Sequence, residues 1–131
     1  MRQTSSMRRT SLLFLAFLLM VQGGLVRPAM AVDAPFDPRL MRLAEVLGSL
    51  HFLRNLCGEK GDGWREQMEK LLRAENPSPP RRAQFIASFN RGYRSFEGTY
   101  SNCTASAAAA IARYTEEGET LSSDIATRFG N

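Results

Sequence analysis

The chain has 131 residues, with 17 Lys and Arg against 13 Asp and Glu, which gives a formal net charge of +4. A basic excess of this kind would suit a nucleic-acid partner, because phosphate binding depends on excess positive charge. Four of the basic residues, however, lie within the first 31 positions, which contain no acid. The remaining chain therefore holds 13 basic and 13 acidic residues, and this neutrality excludes nucleic acid as the partner.

Residues 1–31 have the three parts of a cleavable secretory signal peptide. Three arginines precede an apolar run over 12–21, and the Ala-Met-Ala sequence at 29–31 provides small residues for cleavage. The apolar run is too short to span a bilayer, which needs about 20 residues. We therefore predict export to the periplasm, with no membrane span in the mature form. The sequence after the arginine pair at 8–9 fits the twin-arginine motif poorly, which favours the general secretory (Sec) route.

The mature chain, residues 32–131, is predicted to be one all-α domain, a small four-helix up-down-up-down bundle. Gly and Pro divide it into helical segments, valine is rare, and alternating apolar runs are absent. The strongest pattern is a stripe at helical spacing, formed by Phe85, Phe89, Tyr93, Phe96, Tyr100 and Cys103. Gly92 and Gly98 interrupt this stripe, and either could allow a close helix crossing or mark a kink. The four helices are predicted at about 38–57, 62–75, 79–102 and 105–129.

The two cysteines are predicted to form one disulfide, because an exported chain with no cysteine left over favours pairing. Cys57 lies at the end of the first predicted helix and Cys103 at the end of the third. In an up-down-up-down bundle these two helices are parallel, so both cysteines lie at the same end. The alternative is a thiol-redox protein, but the C-x-x-C spacing that tunes a reactive thiol is absent.

Metal and cofactor chemistry has little support in the sequence. His51 is the single histidine, the cysteines are predicted to be paired, and neither a calcium loop nor a c-type haem motif is present. We therefore predict no metal and no cofactor. An enzyme would have to combine Glu97 or Glu116 with His51 or an arginine, and a hydrolase acting on an envelope glycan or peptide is the alternative function.

A possible binding surface lies in the segment 89–100, which mixes aromatic residues with Arg and Asn. Aromatic faces stack on sugars, and arginine forks match carboxylates. The alternative is that the aromatics form core on one helix face and the polar groups are solvated, or pair with acids near Glu116 and Glu117. The residues predicted for this surface are Asn90, Arg91, Arg94, Arg113, Tyr93, Tyr100 and Trp64.

Several short strings together resemble an uncharacterised exported family of alphaproteobacteria. They are Leu50-His51-x-Leu53-Arg54-x-Leu56-Cys57, Trp64-Arg65, "FNRGYRSF", "TYSNCT", "ARYTEEGETLS" and "RFGN". The likeness covers about residues 39–131. It implies a periplasmic location and a disulfide between Cys57 and Cys103, and it implies no activity.

Size, neutral charge and the lack of a catalytic motif favour a non-enzymatic binding or structural module of the cell envelope. Its partner would be an envelope protein or a glycan. The hydrolase and the thiol-redox protein are the two alternatives.

Overall fold

The computed structural model describes residues 37–129, which form four α-helices with no strand among them. The predicted all-α class and the Cys57–Cys103 disulfide are confirmed. The predicted signal peptide lies outside the described residues. The helices are α1 (Asp37–Leu56), α2 (Gly63–Glu75), α3 (Pro79–Glu97) and α4 (Ala105–Phe129).

The ends of the helices follow local sequence signals. Thr104 caps α4, since its hydroxyl accepts a hydrogen bond from the N–H of Ala107 at 3.1 Å. Asn76 ends α2 in the left-handed conformation, at φ 40°. α3 ends at Glu97, before the predicted end at 102, because the chain turns at Gly98. The predicted aromatic stripe still continues, since the N–H of Tyr100 donates to the carbonyl of Phe96 at 2.9 Å.

The first helix, α1, lies at the centre of the fold and packs against each of the other three helices. α2 also touches α3, whereas the backbone of α4 approaches only that of α1. All six residues from Val46 to His51 are buried. Because successive residues of a helix are rotated by about 100°, six in a row cover its whole circumference. α1 is therefore surrounded by protein over this stretch, and the other helices are arranged around it.

Two glycines allow α1 and α3 to cross in backbone contact. A Cβ atom at Gly48 would clash with the backbone carbonyl of Phe89, and a Cβ at Gly92 would clash with that of Glu45. Close approach of two backbones is a common reason for glycine within a helix. Of the two predicted interruptions, Gly92 thus marks the close crossing and Gly98 the end of α3.

Contacts at both ends of α1 tie it to α3. At the start of α1, the Arg81 guanidinium donates hydrogen bonds to both carboxylate oxygens of Asp37, which is buried. At the other end, the disulfide brings the Cα atoms of Cys57 and Cys103 to 4.9 Å. These contacts agree with the parallel orientation that the sequence predicts for these helices. The up-down-up-down order of all four stays a prediction.

The apolar core has two parts along α1. One lies between α1, α2 and α3, and the other lies between α1, the end of α3 and α4. The buried residues of the first part are Leu40, Ala44, Leu47, Met68, Leu72, Phe85 and Phe89. Those of the second are Leu53, Ala107 and Ala110, with Phe96 and Tyr100 packed against them.

Candidate functional site

An open groove with a volume of about 880 Å³ runs along α1 between α2 and α4. It exists because the backbones of α2 and α4 both contact α1 but do not approach each other. Beneath it lie four α1 side chains, of which Leu43 is half-buried and Val46, Leu47 and Leu50 are buried. The α2 side is lined by Gly63, Trp64, Gln67, Lys70, Leu71 and Ala74, with Glu59 from the turn before α2, and the α4 side by Thr115, Gly118, Glu119 and Ser122.

The two walls of the groove differ in size and polarity. On α2, the half-buried side chains of Trp64 and Leu71 present apolar surface. On α4 the lining residues are small or polar, and Gly118 lets α4 lie close to α1. A Cβ at Gly118 would stand 3.2 Å from Cγ1 of Val46. The apolar surface that water reaches is therefore concentrated on the α2 side and on Leu43 of α1.

Arg54 contacts three of the residues that line the groove, each from a different part of the chain. Its guanidinium lies over the ring of Trp64, with Cζ 5.0 Å from the ring centroid. It donates to Glu59 at 2.8 Å and to the hydroxyl of Thr115 at 3.2 Å. The hydrogen bond from Arg54 lowers the pKa of Glu59, so this carboxylate stays ionised. These contacts hold Trp64 at the groove and link α1 to α4.

Three charged side chains line the groove, and one of them, Glu59, is paired with Arg54. Lys70 projects from α2 and Glu119 from α4, and both are exposed. Neither forms an ion pair with another of the described residues. The groove thus offers apolar surface, mainly from α2, with charged groups of both signs around it. This arrangement suits recognition of an amphipathic surface, because the apolar part supplies binding energy and the charges set orientation.

The predicted arginine surface is partly engaged in an ion chain across the fold. Arg91 of α3 contacts Glu45 of α1 at 3.2 Å, Glu45 contacts Arg42 at 2.9 Å, and Arg42 contacts Glu117 of α4 at 2.6 Å. The bond to Glu117 raises the pKa of Arg42. An internal pairing of arginines with acids near 116–117 was one of the alternatives from the sequence. Among the described residues, Arg91 pairs with Glu45 and Glu117 pairs with Arg42, so no direct ion pair joins the predicted surface arginines to these acids.

The polar residues of the predicted surface lie together on α3. Asn90, Arg91 and Arg94 are exposed and, with Ala87 and Ser95, line a shallow depression of about 620 Å³. Arg113 lies on α4 and forms no hydrogen bond or ion pair with another described residue. Its guanidinium carbon lies 5.7 Å from the centroid of the neighbouring Tyr114 ring.

The three aromatic residues of the predicted surface take part in different contacts. Tyr93 is half-buried and packs edge-on against Phe52, with ring centroids 5.3 Å apart. Tyr100 is also half-buried and stacks on Phe96 at 6.2 Å. Trp64 lines the groove, away from the depression on α3. Whether any of these residues binds a partner stays a prediction.

No catalytic set forms around the candidate residues. His51 is buried, its ring centroid lies 5.9 Å from that of Phe89, and burial lowers its pKa, which favours the neutral imidazole. Glu97 and Glu116 are exposed. Among residues 37–129, no hydrogen bond or ion pair joins either glutamate to His51. Over the same residues, no group of three or more His, Cys, Asp and Glu could hold a metal ion.

The groove residues that the sequence did not single out include Lys70, Leu71, Glu119 and Ser122. One signal was available, since the apolar residues of α1 are too many for one helix face, which is typical of a central helix. That pattern predicts several neighbours around α1. It does not predict which two of them leave a gap, because the gap depends on where α2 and α4 pack.

These features define a disulfide-linked, all-helical domain with an open groove beside its central helix. Residues 35–129 match a family described as a protein of unknown function (DUF2385), and the chain belongs to that family. No curated protein and no solved structure matches the chain. Of the helices within residues 37–129, none is long and apolar enough to cross a membrane.

Proposed function

We propose that this protein is exported to the periplasm and acts there as a non-enzymatic module that binds another component of the cell envelope. The three-part signal sequence at 1–31 supports export, and the Cys57–Cys103 disulfide suits an oxidising compartment. Among the described residues, neither candidate glutamate is hydrogen-bonded to His51, and this supports binding over catalysis.

The groove along α1 is the observation that carries this proposal. Its volume of about 880 Å³ falls in the range of sites that bind ligands, roughly 300–1,000 Å³. It combines apolar side chains with a few polar groups, which is the usual composition of a binding cleft. Trp64 is the single tryptophan of the chain, and it lines the groove. Trp64 therefore reports binding directly through its fluorescence.

A neutral apolar dye, Nile red, tests the groove. We expect it to bind the folded, oxidised protein and to quench Trp64 by energy transfer. Ser122→Lys places a charged chain in the groove and should weaken dye binding by about tenfold, because apolar contact is lost. Ser123→Lys is the matched control, since Ser123 is exposed and does not line the groove. Equal dye binding by both variants would remove the groove from the proposal.

Export is tested by the intact mass of the protein recovered from the periplasm, alkylated with and without prior reduction. We expect a chain that begins at Val32, is two daltons lighter than its reduced form, and takes up label only after reduction. An uncleaved chain in the cytoplasm would contradict export. Free and rapidly alkylated thiols would instead favour the thiol-redox alternative.

A further inference from the structure

The side chain of Asn55 holds the turn between α1 and α2, residues 57–62, against α1. Its amide oxygen accepts a hydrogen bond from the N–H of Gly61 at 3.0 Å, and its amide nitrogen donates to the Gly61 carbonyl at 3.0 Å. The same nitrogen donates to the backbone carbonyl of His51 at 2.8 Å. The oxygen thus faces a donor and the nitrogen faces two acceptors, so a single orientation of the amide satisfies all three bonds.

The imidazole ring of His51 lies against this amide. Its Nδ1 is 3.3 Å from the amide nitrogen of Asn55. That nitrogen can only donate, so Nδ1 is the acceptor and the proton of the neutral ring is on Nε2. A protonated ring carries a hydrogen on both nitrogens, and an N–H of His51 would then face an N–H of Asn55. Two donors cannot share a hydrogen bond, so either the ring or the amide has to move.

The surroundings of His51 compensate a positive charge poorly. The residue is buried, and α3 places Phe89 and Tyr93 beside it, with ring centroids 5.9 and 5.8 Å away. Arg65 of α2 disfavours protonation of the ring, and Asp62 before α2 favours it. Within residues 37–129, no carboxylate is hydrogen-bonded to the ring. Burial has the largest effect, and it lowers the pKa of His51.

We infer that His51 makes the turn at 57–62 sensitive to acid, because protonation of its ring displaces the Asn55 amide and releases Gly61. His51 is the single histidine of the chain, and carboxylates titrate at lower pH. The turn also carries Glu59, which lines the groove and accepts a hydrogen bond from Arg54 at 2.8 Å. Release of the turn therefore loosens one edge of the groove. The acid response of the turn does not depend on whether the groove binds a ligand.

The N–H of Gly61 reports the state of the turn, because it donates to the side chain of Asn55. Its hydrogen exchange is measured by NMR in the oxidised protein at about pH 7.5 and about pH 5.5, as protection relative to an unstructured peptide. Because the pKa of His51 is lowered in the folded protein, the neutral ring stabilises the turn fully above the ordinary pKa of about 6.5 and less below it. At about pH 5.5, an open turn with the ordinary pKa gains up to about tenfold over the closed one, and we expect protection to fall about fivefold.

Two variants assign the response to this pair of side chains. His51→Gln removes the titrating group and leaves a neutral amide, so the protection of Gly61 should be the same at both pH values. Asn55→Asp keeps the histidine, and its carboxylate still accepts from Gly61 and attracts a protonated ring. The pKa of His51 should rise in this variant, and acid should then increase the protection of Gly61. Asn90→Asp has the same change in net charge at an exposed position of α3 and should keep the native response.

Three results would overturn the acid-sensitive turn. Equal protection of Gly61 at both pH values in the native protein would show that the Asn55 bonds do not respond to His51. The same fall in His51→Gln would assign the response to another group. Loss of protection by amides throughout the helices would show unfolding of the whole domain in place of release of the turn. Should His51→Gln fail to fold, the reversed response of Asn55→Asp decides, and a native-like fall in that variant would contradict the role of His51.

Discussion

Reduction of the Cys57–Cys103 disulfide is expected to lower the free energy of unfolding by about 4 kcal/mol. The bond joins residues 46 positions apart and encloses α2 and α3. In the chain-entropy description, a loop of this size contributes about that amount by restricting the unfolded chain. A small domain has a total stability of about 5–15 kcal/mol, so the bond accounts for a large share. The melting temperature should fall by roughly 15–30 °C.

Urea denaturation of the mature protein with and without reductant measures this effect through Trp64 fluorescence. The double variant Cys57→Ala, Cys103→Ala is the control, because reductant can change only a protein that has the disulfide. We expect the variant to be as unstable as the reduced native protein and to be insensitive to reductant. Identical midpoints for oxidised and reduced native protein would show that the end contacts of α1 and α3 hold without the bond.

The elements that the sequence predicted well depend on local or regular patterns. The aromatic stripe of α3 placed Phe85 and Phe89 in the core, where both are buried. The stripe also predicted that Tyr100 packs inward, and Tyr100 does pack against the core although α3 ends at Glu97. One turn after the helix preserves the i to i+4 spacing, so the stripe survives the end of the helix. The stripe therefore predicts which aromatic side chains pack into the core, but it does not predict where α3 ends.

The parts that could not be predicted depend on how the helices pack in three dimensions. Arg42 and Glu45 are ordinary charged residues in the sequence, and their role in bridging α3 to α4 appears only once α1 is placed between them. The groove could not be predicted for the same reason. Lys70 and Glu119 are 49 positions apart in the sequence, and they line the same groove only because α2 and α4 both pack on α1.

Gly92→Ala is expected to destabilise the protein by about 2–3 kcal/mol although it adds a single methyl group. The new Cβ would overlap the backbone carbonyl of Glu45, and the carbonyl cannot rotate away because it belongs to α1. α1 and α3 would have to separate, which loosens the core around Phe89. Overpacking of this kind costs about 1–3 kcal/mol, and contact with backbone places it at the upper end.

The same substitution at Gly63 is expected to stabilise the protein. The comparison therefore shows whether the loss of stability in Gly92→Ala comes from the crossing of α1 and α3. Gly63 begins α2, and a Cβ there meets nothing within 4 Å. Replacing a helical glycine by alanine in open space stabilises by about 0.5–1 kcal/mol, because the unfolded chain loses freedom. Urea midpoints of the two variants should therefore move in opposite directions. If Gly92→Ala were as stable as Gly63→Ala, the backbone contact between α1 and α3 would be wrong.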